Sequence, residues 1–283
     1  MRILALIIFL FASPLFGSGA KDNNTQEFER IVSLSPAATE ILFAVGAGDE
    51  VVARTDFCNY PQEVSNIFSV GGFDGKAFSM ETIVAQDPDL VIATTGMHDH
   101  LKKPLEDLGI TVFMSNTTDF ETLYNEIIQI AELTGNEKTA KKIVSDMKDE
   151  IKDVNKKVKD FEPKTIYWEV WNDPYMSIGS KSYINEIISL AGGENIFASI
   201  EEGYPTVSEE SIIVANPEYI GLPAGEWSTP AENFYARAGW ENISAVQNKQ
   251  VIYVTEDLVS RPGPRAALAV KELAGKLYPD VEF

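Results

Sequence analysis

The chain has 283 residues, of which 45% are apolar, so it is long enough to bury one large core or two medium-sized cores. Its 43 acidic residues outnumber its 23 Lys and Arg residues, which gives a formal net charge of −20. This charge argues against nucleic-acid binding, because that function requires a basic surface. The single cysteine, Cys58, excludes an intramolecular disulfide.

Residues 1–20 have the pattern of a secretory signal peptide. Arg2 precedes an interrupted apolar stretch at 3–16, and small residues follow at 18–20. A membrane anchor is the weaker interpretation, because the stretch is too short to span a bilayer. No cysteine lies near the cleavage site to carry a lipid. We therefore expect a cleaved, non-lipidated, periplasmic and monomeric protein with a mature charge of 22 − 43 = −21.

Residues 21–135 predict a first α/β unit. Short runs rich in Val and Ile alternate with amphipathic segments, an alternation typical of parallel α/β architecture. The predicted strands are Arg30–Leu34, Glu50–Arg54, Leu90–Thr94 and Ile110–Met114. The predicted helices are Ala37–Val45, Ser79–Gln86 with Ser79 as its cap, and His98–Leu108. In such sheets, ligands bind beyond the carboxyl ends of the strands.

Residues 136–162 predict a long connecting helix. The segment Asn136–Phe161 contains no Gly or Pro and is rich in charged residues. Its apolar residues recur at spacings of three and four, which indicates one buried stripe. The stripe consists of Ile143, Met147, Ile151, Val154 and Val158. At about 1.5 Å per residue the helix would extend nearly 40 Å, and such a stiff connector predicts only small hinge motion.

Residues 163–283 predict a second α/β unit. The predicted strands are Thr165–Val170, Tyr219–Leu222 and Gln250–Val254, and the predicted helices are Tyr183–Ala191, Ser208–Ala215 and Arg265–Tyr278. The segment Ser208–Ile220 repeats Ser79–Val91 in one register, with Glu210 and Glu81 separated by 210 − 81 = 129 positions. This repeat indicates two similar lobes, and clefts between lobes commonly bind ligands.

Aromatic residues are frequent in the loops expected at the strand ends. They are Phe57, Tyr60, Phe73, Trp171, Tyr175, Tyr204 and Trp227, whereas Trp168 lies within a strand pattern and is expected in the core. For the loop residues a binding surface is favoured over core packing, because aromatic rings bury large areas at low entropic cost. Such a lining suits a bulky ligand with apolar surface.

Two histidines and the cysteine are further candidates. His98 and His100 follow a predicted strand, and an imidazole there could ligate cobalt or haem iron. Exposed or helix-capping histidines are the favoured interpretation, and these two residues with Asp99 do not complete a four-ligand zinc site. Cys58 could contact the ligand from the cobalt side or act as a reactive thiol, although packing as a small hydrophobe is favoured. No resident metal or cofactor is expected.

Several segments together resemble the cobalamin- and iron-siderophore-type periplasmic binding proteins of ABC importers. Arg30–Pro36 followed by Thr39–Leu42 is similar to the opening of that group. Thr55–Pro61, Val70–Phe73 and Arg261–Arg265 resemble its cobalamin-binding branch. The resemblance covers nearly the whole mature chain. It implies two Rossmann-like α/β lobes with mainly parallel sheets, one long backbone helix between them and a ligand cleft between the lobes.

The resemblance also implies roles for individual residues. By position, Phe57, Tyr60, Phe73 and Tyr204 would line the pocket, although the family has tryptophan in place of Tyr204. Arg261 could hydrogen-bond a phosphate or an amide edge. With the strand-end candidates, the expected ligand-binding residues are Ser35, Pro36, Phe57, Cys58, Tyr60, Phe73, His98, Trp171, Tyr204, Trp227 and Arg261.

Glu81 and Glu210 match the acidic residues with which this family docks onto arginines of the membrane permease. A first-turn glutamate also complements the helix dipole by about 0.3–1 kcal/mol, and the two roles are compatible.

Three functions remain open on the sequence alone. The first is capture of a cobalamin-like corrinoid for delivery to an ABC permease, and the second is the same role with haem or a ferric siderophore. The third is an exported enzyme, for which the chain offers no nucleophile elbow, phosphate-binding glycine loop or zinc-protease motif. We therefore expect a binding protein and not an enzyme.

Overall fold

The computed structural model describes residues 28–72, 79–225 and 228–283. Within them the first lobe contains a five-stranded parallel sheet in the order β3-β2-β1-β4-β5. The strands are β1 (Ile31–Ser33), β2 (Val51–Arg54), β3 (Phe68–Ser69), β4 (Leu90–Thr94) and β5 (Thr111–Ser115). The helices are α1 (Pro36–Val45), α2 (Met80–Val84), α3 (Asp99–Asp107) and α4 (Phe120–Leu133).

The second lobe has a separate four-stranded parallel sheet in the order β11-β10-β6-β9 and a short antiparallel hairpin, β7-β8. The strands are β6 (Lys164–Trp168), β7 (Trp171–Asn172), β8 (Tyr175–Met176), β9 (Gly193–Asn195), β10 (Tyr219–Ala224) and β11 (Val251–Thr255). The helices are α6 (Tyr183–Leu190), α7 (Glu209–Ala215), α8 (Ala231–Tyr235), α9 (Ser244–Gln247), α10 (Glu256–Ser260) and α11 (Ala266–Leu277).

The two lobes are connected by α5 (Glu137–Val158), a helix of 22 residues that is about 33 Å long. Four residues of the predicted stripe are buried, whereas Ile143 is only partly buried. The stripe belongs to a hydrophobic cluster that includes Ile31 of β1 and Leu273 of α11, so residues of both lobes pack around α5. A separate cluster covers the other face of each sheet. The predicted two-lobe α/β architecture is confirmed.

The repeated segments adopt the same local structure. Ser79 and Ser208 cap α2 and α7, and their hydroxyls accept hydrogen bonds from the N–H groups three residues later. Each helix then buries one isoleucine, Ile83 or Ile212, completely. The N-cap explains why such short helices form at a fixed place, because it satisfies a donor that has no partner within the helix.

The sequence did not predict α4 or the short helices α8, α9 and α10. The predicted helix from Ser79 to Gln86 ends earlier, at Val84. Among the described residues, no helix combines the length and the apolar character that crossing a bilayer requires.

Candidate functional site

The main cleft lies where the carboxyl ends of the strands in the first lobe face the second lobe. It contains a cavity of about 700 Å³. The loops after β1, β2, β4 and β5 line one side, and residues 256–262 of the second lobe line the other. This position follows from parallel topology, in which the loops after the strands gather at one edge of the sheet.

A second cavity, of about 340 Å³, lies at the corresponding edge of the second sheet. Its lining comes from the ends of β6 and β10 and from the β7 strand of the hairpin. Glu256, at the start of α10, lines both cavities. The two cavities are therefore adjoining parts of one cleft between the lobes.

A buried carboxylate supports the polar wall of the first lobe. Glu126 of α4 accepts hydrogen bonds from the hydroxyls of Ser115 and Thr117, at 2.6 and 2.9 Å, and from the N–H of Asn116 at 3.2 Å. These three residues line the larger cavity with Thr94 and Thr95. This wall is not predictable from the sequence, because hydroxyl and amide residues in loops form no distinctive pattern.

Ser35 and Pro36, two of the predicted ligand-binding residues, line this cleft. Ser35 is the N-cap of α1, and its hydroxyl accepts a hydrogen bond from the N–H of Ala38 at 3.4 Å. Pro36 occupies the first turn, where its missing N–H costs no hydrogen bond. The N-terminus of α1 therefore opens toward the cavity.

The predicted aromatic residues are only partly brought together. Phe57 lines the larger cavity and Trp171 lines the smaller one. Tyr60 instead lines a separate cavity of about 470 Å³ beside α1, and Tyr204 lies outside the lining of all three. All four side chains are between 45% and 61% exposed. Phe73 and Trp227 lie outside the described residues, and Trp168 is buried in the core as predicted.

His98 and Cys58, which were both predicted to bind the ligand, do not present accessible surface to the cleft. His98 has no accessible surface, and its Nδ1 accepts a hydrogen bond from the N–H of Thr94 at 3.0 Å. Cys58 is 1% exposed, and its Sγ accepts a hydrogen bond from the hydroxyl of Thr39 at 3.1 Å. Both side chains therefore support the strand-end loops from beneath. His100 is exposed on α3.

Arg261 lines the larger cavity, but most of its donors are already engaged. Its Nη1 donates to Glu40 at 3.3 Å and to the side-chain oxygen of Asn59 at 2.7 Å. Its Nη2 donates to the carbonyl oxygen of Phe57 at 3.3 Å and lies 2.8 Å from Asp257. The guanidinium is thus held mainly by groups of the protein, and a hydrogen bond from Arg261 to the ligand stays a prediction.

A second buried ion pair lies behind the smaller cavity. Glu169, at the end of β6, accepts two hydrogen bonds from Arg237, at 2.7 and 3.2 Å. The guanidinium also lies 4.4–5.3 Å from the ring centroids of Tyr175, Phe234 and Trp240. Burial of Arg237 favours a lower pKa, but the hydrogen bond with Glu169 and its charge raise the pKa above its ordinary value. The guanidinium of Arg237 therefore remains charged.

Three carboxylates line the described part of the cleft, and two of them pair with arginines. Glu169 pairs with Arg237 and Asp257 pairs with Arg261, whereas Glu256 lies beside both cavities. Among the described residues that line the two cavities, the only base is Arg261, and its charge is balanced by Glu40 and Asp257. Such a surface suits neutral or cationic ligands with hydrogen-bonding groups better than anions.

Glu81 and Glu210 are exposed in the first turns of α2 and α7. Neither carboxylate lines the two cavities of the cleft. The adjacent Glu209 turns inward instead, and its carboxylate accepts a hydrogen bond from the indole of Trp240 at 2.9 Å. The repeated glutamates are therefore presented to solvent at matching places on the two lobes.

The chain is similar to a protein family, to an individual protein sequence and to solved structures. The profile of the family described as periplasmic binding protein matches residues 31–258. The chain is 36% identical to an uncharacterized ABC transporter substrate-binding lipoprotein, YvrC, of Bacillus subtilis, over 90% of this chain and 82% of that protein.

Two solved structures from Vibrio cholerae are also similar. The periplasmic vitamin B12 binding protein BtuF is 29% identical with a TM-score of 0.75, covering 89% of this chain and 97% of that chain. The periplasmic heme binding protein HutB is 25% identical with a TM-score of 0.79, covering 88% and 99%.

Proposed function

We propose that this chain, which belongs to the periplasmic binding protein family and is a substrate-binding protein of an ABC transporter, binds a cobalamin-like corrinoid. The observation that carries this proposal is the chemistry of the cleft. Its lining combines the exposed rings of Phe57 and Trp171 with hydroxyl, amide and carboxylate groups. A corrinoid presents an apolar ring face and many peripheral amides, so it offers a partner to each kind of group.

Haem and ferric siderophores are less favoured by the same lining. Haem carries two propionates and siderophores are commonly anionic, so each calls for cationic partners. The described part of the lining contains one arginine, whose charge is already balanced. His98, the candidate for an axial ligand of haem iron, has no accessible surface.

Titration with cyanocobalamin tests the proposal. We expect saturable quenching of tryptophan emission at sub-micromolar ligand, because Trp171 lines the cleft. Haemin and a ferric siderophore should give no saturable response in the same range. Saturable haemin binding with cobalamin silent at high micromolar concentration would reverse the assignment.

Delivery to the permease is the second part of the proposal. Glu81 and Glu210 would dock onto basic residues of the two permease subunits, one for each lobe. Their equivalent positions support this role, because a symmetric permease requires matching contacts from both lobes. Charged contacts of this kind set orientation and association rate more than affinity.

We also infer that the protein is exported by a cleaved signal peptide at residues 1–20, which lie outside the described residues, and that it carries no lipid. The single cysteine, Cys58, is buried, whereas lipid attachment requires an accessible thiol. Intact-mass spectrometry of the protein recovered from its native membrane and soluble fractions tests this. A soluble species that lacks residues 1–20 is expected, and an acylated membrane species would contradict it.

A further inference from the structure

A cluster of charged residues connects the two lobes beside the cleft. Glu40, on α1 of the first lobe, is 3% exposed. Its carboxylate accepts hydrogen bonds from two arginines of the second lobe: Arg265 donates at 2.8 and 2.6 Å, and Arg261 donates at 3.3 Å. The cluster therefore joins positions more than 220 residues apart.

The cluster is electrically balanced. Asp257 supplies a second carboxylate, 2.8 Å from Arg261 and 3.9 Å from Arg265. Two arginines thus face two carboxylates. Removing the charge of Glu40 would leave the arginines with one carboxylate in a poorly hydrated place, where an uncompensated charge is strongly unfavourable.

The same arginines hold the loop that follows β2. Arg261 donates to the carbonyl oxygen of Phe57 and to the side chain of Asn59. The guanidinium of Arg265 lies 3.8 Å from the ring centroid of Tyr60, a favourable cation–π distance. Residues 56–60, which we term the cleft loop, belong to the first lobe in sequence but are held by side chains of the second.

We propose that Glu40 is a positioning residue for ligand capture, acting through Arg261 and Arg265 to fix the cleft loop and the exposed ring of Phe57. Glu40 does not line the two cavities of the cleft, so its effect on the ligand is indirect. The cluster makes the shape of the pocket depend on the contact between the lobes. This inference rests on the proposed function, in which Phe57 contacts the ligand.

The variant Glu40→Gln tests the proposal because it keeps the shape of the side chain and removes its charge. The matched control is Glu218→Gln, which removes a carboxylate that binds Lys164 and the N–H of Thr165 at the opposite edge of the second sheet. Two measurements are made on both variants and the wild type. The first is hydrogen exchange of residues 56–60 in the empty protein, and the second is the cyanocobalamin Kd from tryptophan quenching.

We expect faster exchange at Asp56 and Cys58 in Glu40→Gln, since their N–H groups hydrogen-bond within the loop region, to Gly71 and Thr55. We expect cyanocobalamin to bind about tenfold more weakly, because the loop must then be ordered on binding. Glu218→Gln should change neither quantity. Arg265→Lys keeps the charge but removes the bidentate contact and planar stacking, so it should reproduce both effects in weaker form.

The exchange measurement separates this inference from the identity of the ligand. Unchanged exchange in Glu40→Gln would overturn the positioning role whichever ligand binds. An unchanged Kd, with wild-type binding intact, would overturn it as well. Faster exchange without cobalamin binding in any of the proteins would refute the ligand assignment and leave the role of Glu40 in holding the loop standing.

Discussion

Asp87 and Asn216, which are 216 − 87 = 129 positions apart, both adopt a left-handed backbone, with φ angles of 52° and 46°. Each directly precedes a buried proline and follows a short helix, α2 or α7. Asp and Asn tolerate this conformation better than most residues, because their short polar side chains can hydrogen-bond locally. The two turns therefore direct equivalent strands, β4 and β10, and leave Glu81 and Glu210 in equivalent places.

If Glu81 and Glu210 dock onto the permease, their removal should impair transport without weakening ligand binding. In Glu81→Ala/Glu210→Ala the cyanocobalamin Kd should be unchanged, because neither residue lines the cleft. Stimulation of ATP hydrolysis by the reconstituted permease should fall about tenfold or more, since long-range charge attraction governs encounter. Both quantities can be measured on the same preparation.

A matched control is Glu132→Ala/Glu282→Ala, which removes two exposed carboxylates, one in the last turn of α4 and one after the end of α11. It should retain full stimulation. Loss of ligand affinity in the Glu81/Glu210 variant would instead assign those carboxylates to the pocket.

Phe57 is predicted to contribute directly to ligand affinity. Phe57→Ala should weaken cyanocobalamin binding by about 1–2 kcal/mol, which corresponds to roughly five- to thirtyfold, because aromatic anchors dominate such surfaces. Phe68→Ala provides a control, since Phe68 is comparably exposed on the edge strand β3 and does not line the cleft. Equal effects of the two substitutions would argue against a specific contact.

The ion pair between Glu169 and Arg237 is predicted to matter for stability. Arg237→Ala leaves a buried carboxylate without its partner, which should lower the free energy of unfolding by about 3–5 kcal/mol. Lys103→Ala breaks an exposed pair with Asp107 and should cost less than about 1 kcal/mol. Urea denaturation monitored by circular dichroism measures both, and a loss near 1 kcal/mol for Arg237→Ala would show that the site remains hydrated.

Glu186 is predicted to destabilise the fold as the pH rises. Burial, with a smaller contribution from the charges of Asp119 and Glu121, raises its pKa above the ordinary value of 4.5, although the N–H of Phe120 donates to it at 2.6 Å. Between pH 4.5 and the raised pKa, the folded state binds more protons than the unfolded state, so the free energy of unfolding falls with rising pH.

Glu186→Gln should therefore be more stable than the wild type at pH 7, because the amide oxygen can still accept from Phe120. The advantage should disappear below pH 4.5. Urea unfolding at pH 4 and pH 7 measures the difference. Equal stability of the two proteins at pH 7 would indicate that solvent offsets the burial.

Glu218 should give the opposite pH dependence. Burial favours a higher pKa for its carboxyl, but the N–H of Thr165 and the charge of Lys164 outweigh it and lower the pKa below 4.5. The stabilisation is therefore present above pH 4.5 and is lost as the pH falls through the lowered pKa. Glu218→Gln should be less stable than the wild type at pH 7, with a difference that shrinks in acid.

Regular patterns made most of the fold predictable. The alternation of strands and helices, the apolar stripe of α5 and the serine caps of α2 and α7 are all local in sequence, and the structure contains each of them. The helix α4 was missed although Asp119 and Thr122 form a capping box at its start. That motif, followed by the periodic residues Leu123, Ile127 and Ile130, is a signal that could have identified it.

The site was less predictable because its decisive contacts join distant parts of the chain. Nothing near Arg261 in sequence indicates that its guanidinium donates a hydrogen bond to Glu40, since 221 positions separate the two residues. His98 follows a strand end as predicted, yet its ring turns into the protein. Position at a strand end thus locates a loop at the cleft but does not determine which way each side chain faces.

The hydrophobic cluster around α5 includes Ile31 near the start of the fold and Val270 and Leu273 near its end. A ribosome or a translocation channel releases these segments in order, with α11 last. The apolar surfaces that α11 covers in the folded protein therefore stay uncovered until α11 has emerged. The cluster around α5 can be completed only once residues 266–277 are available.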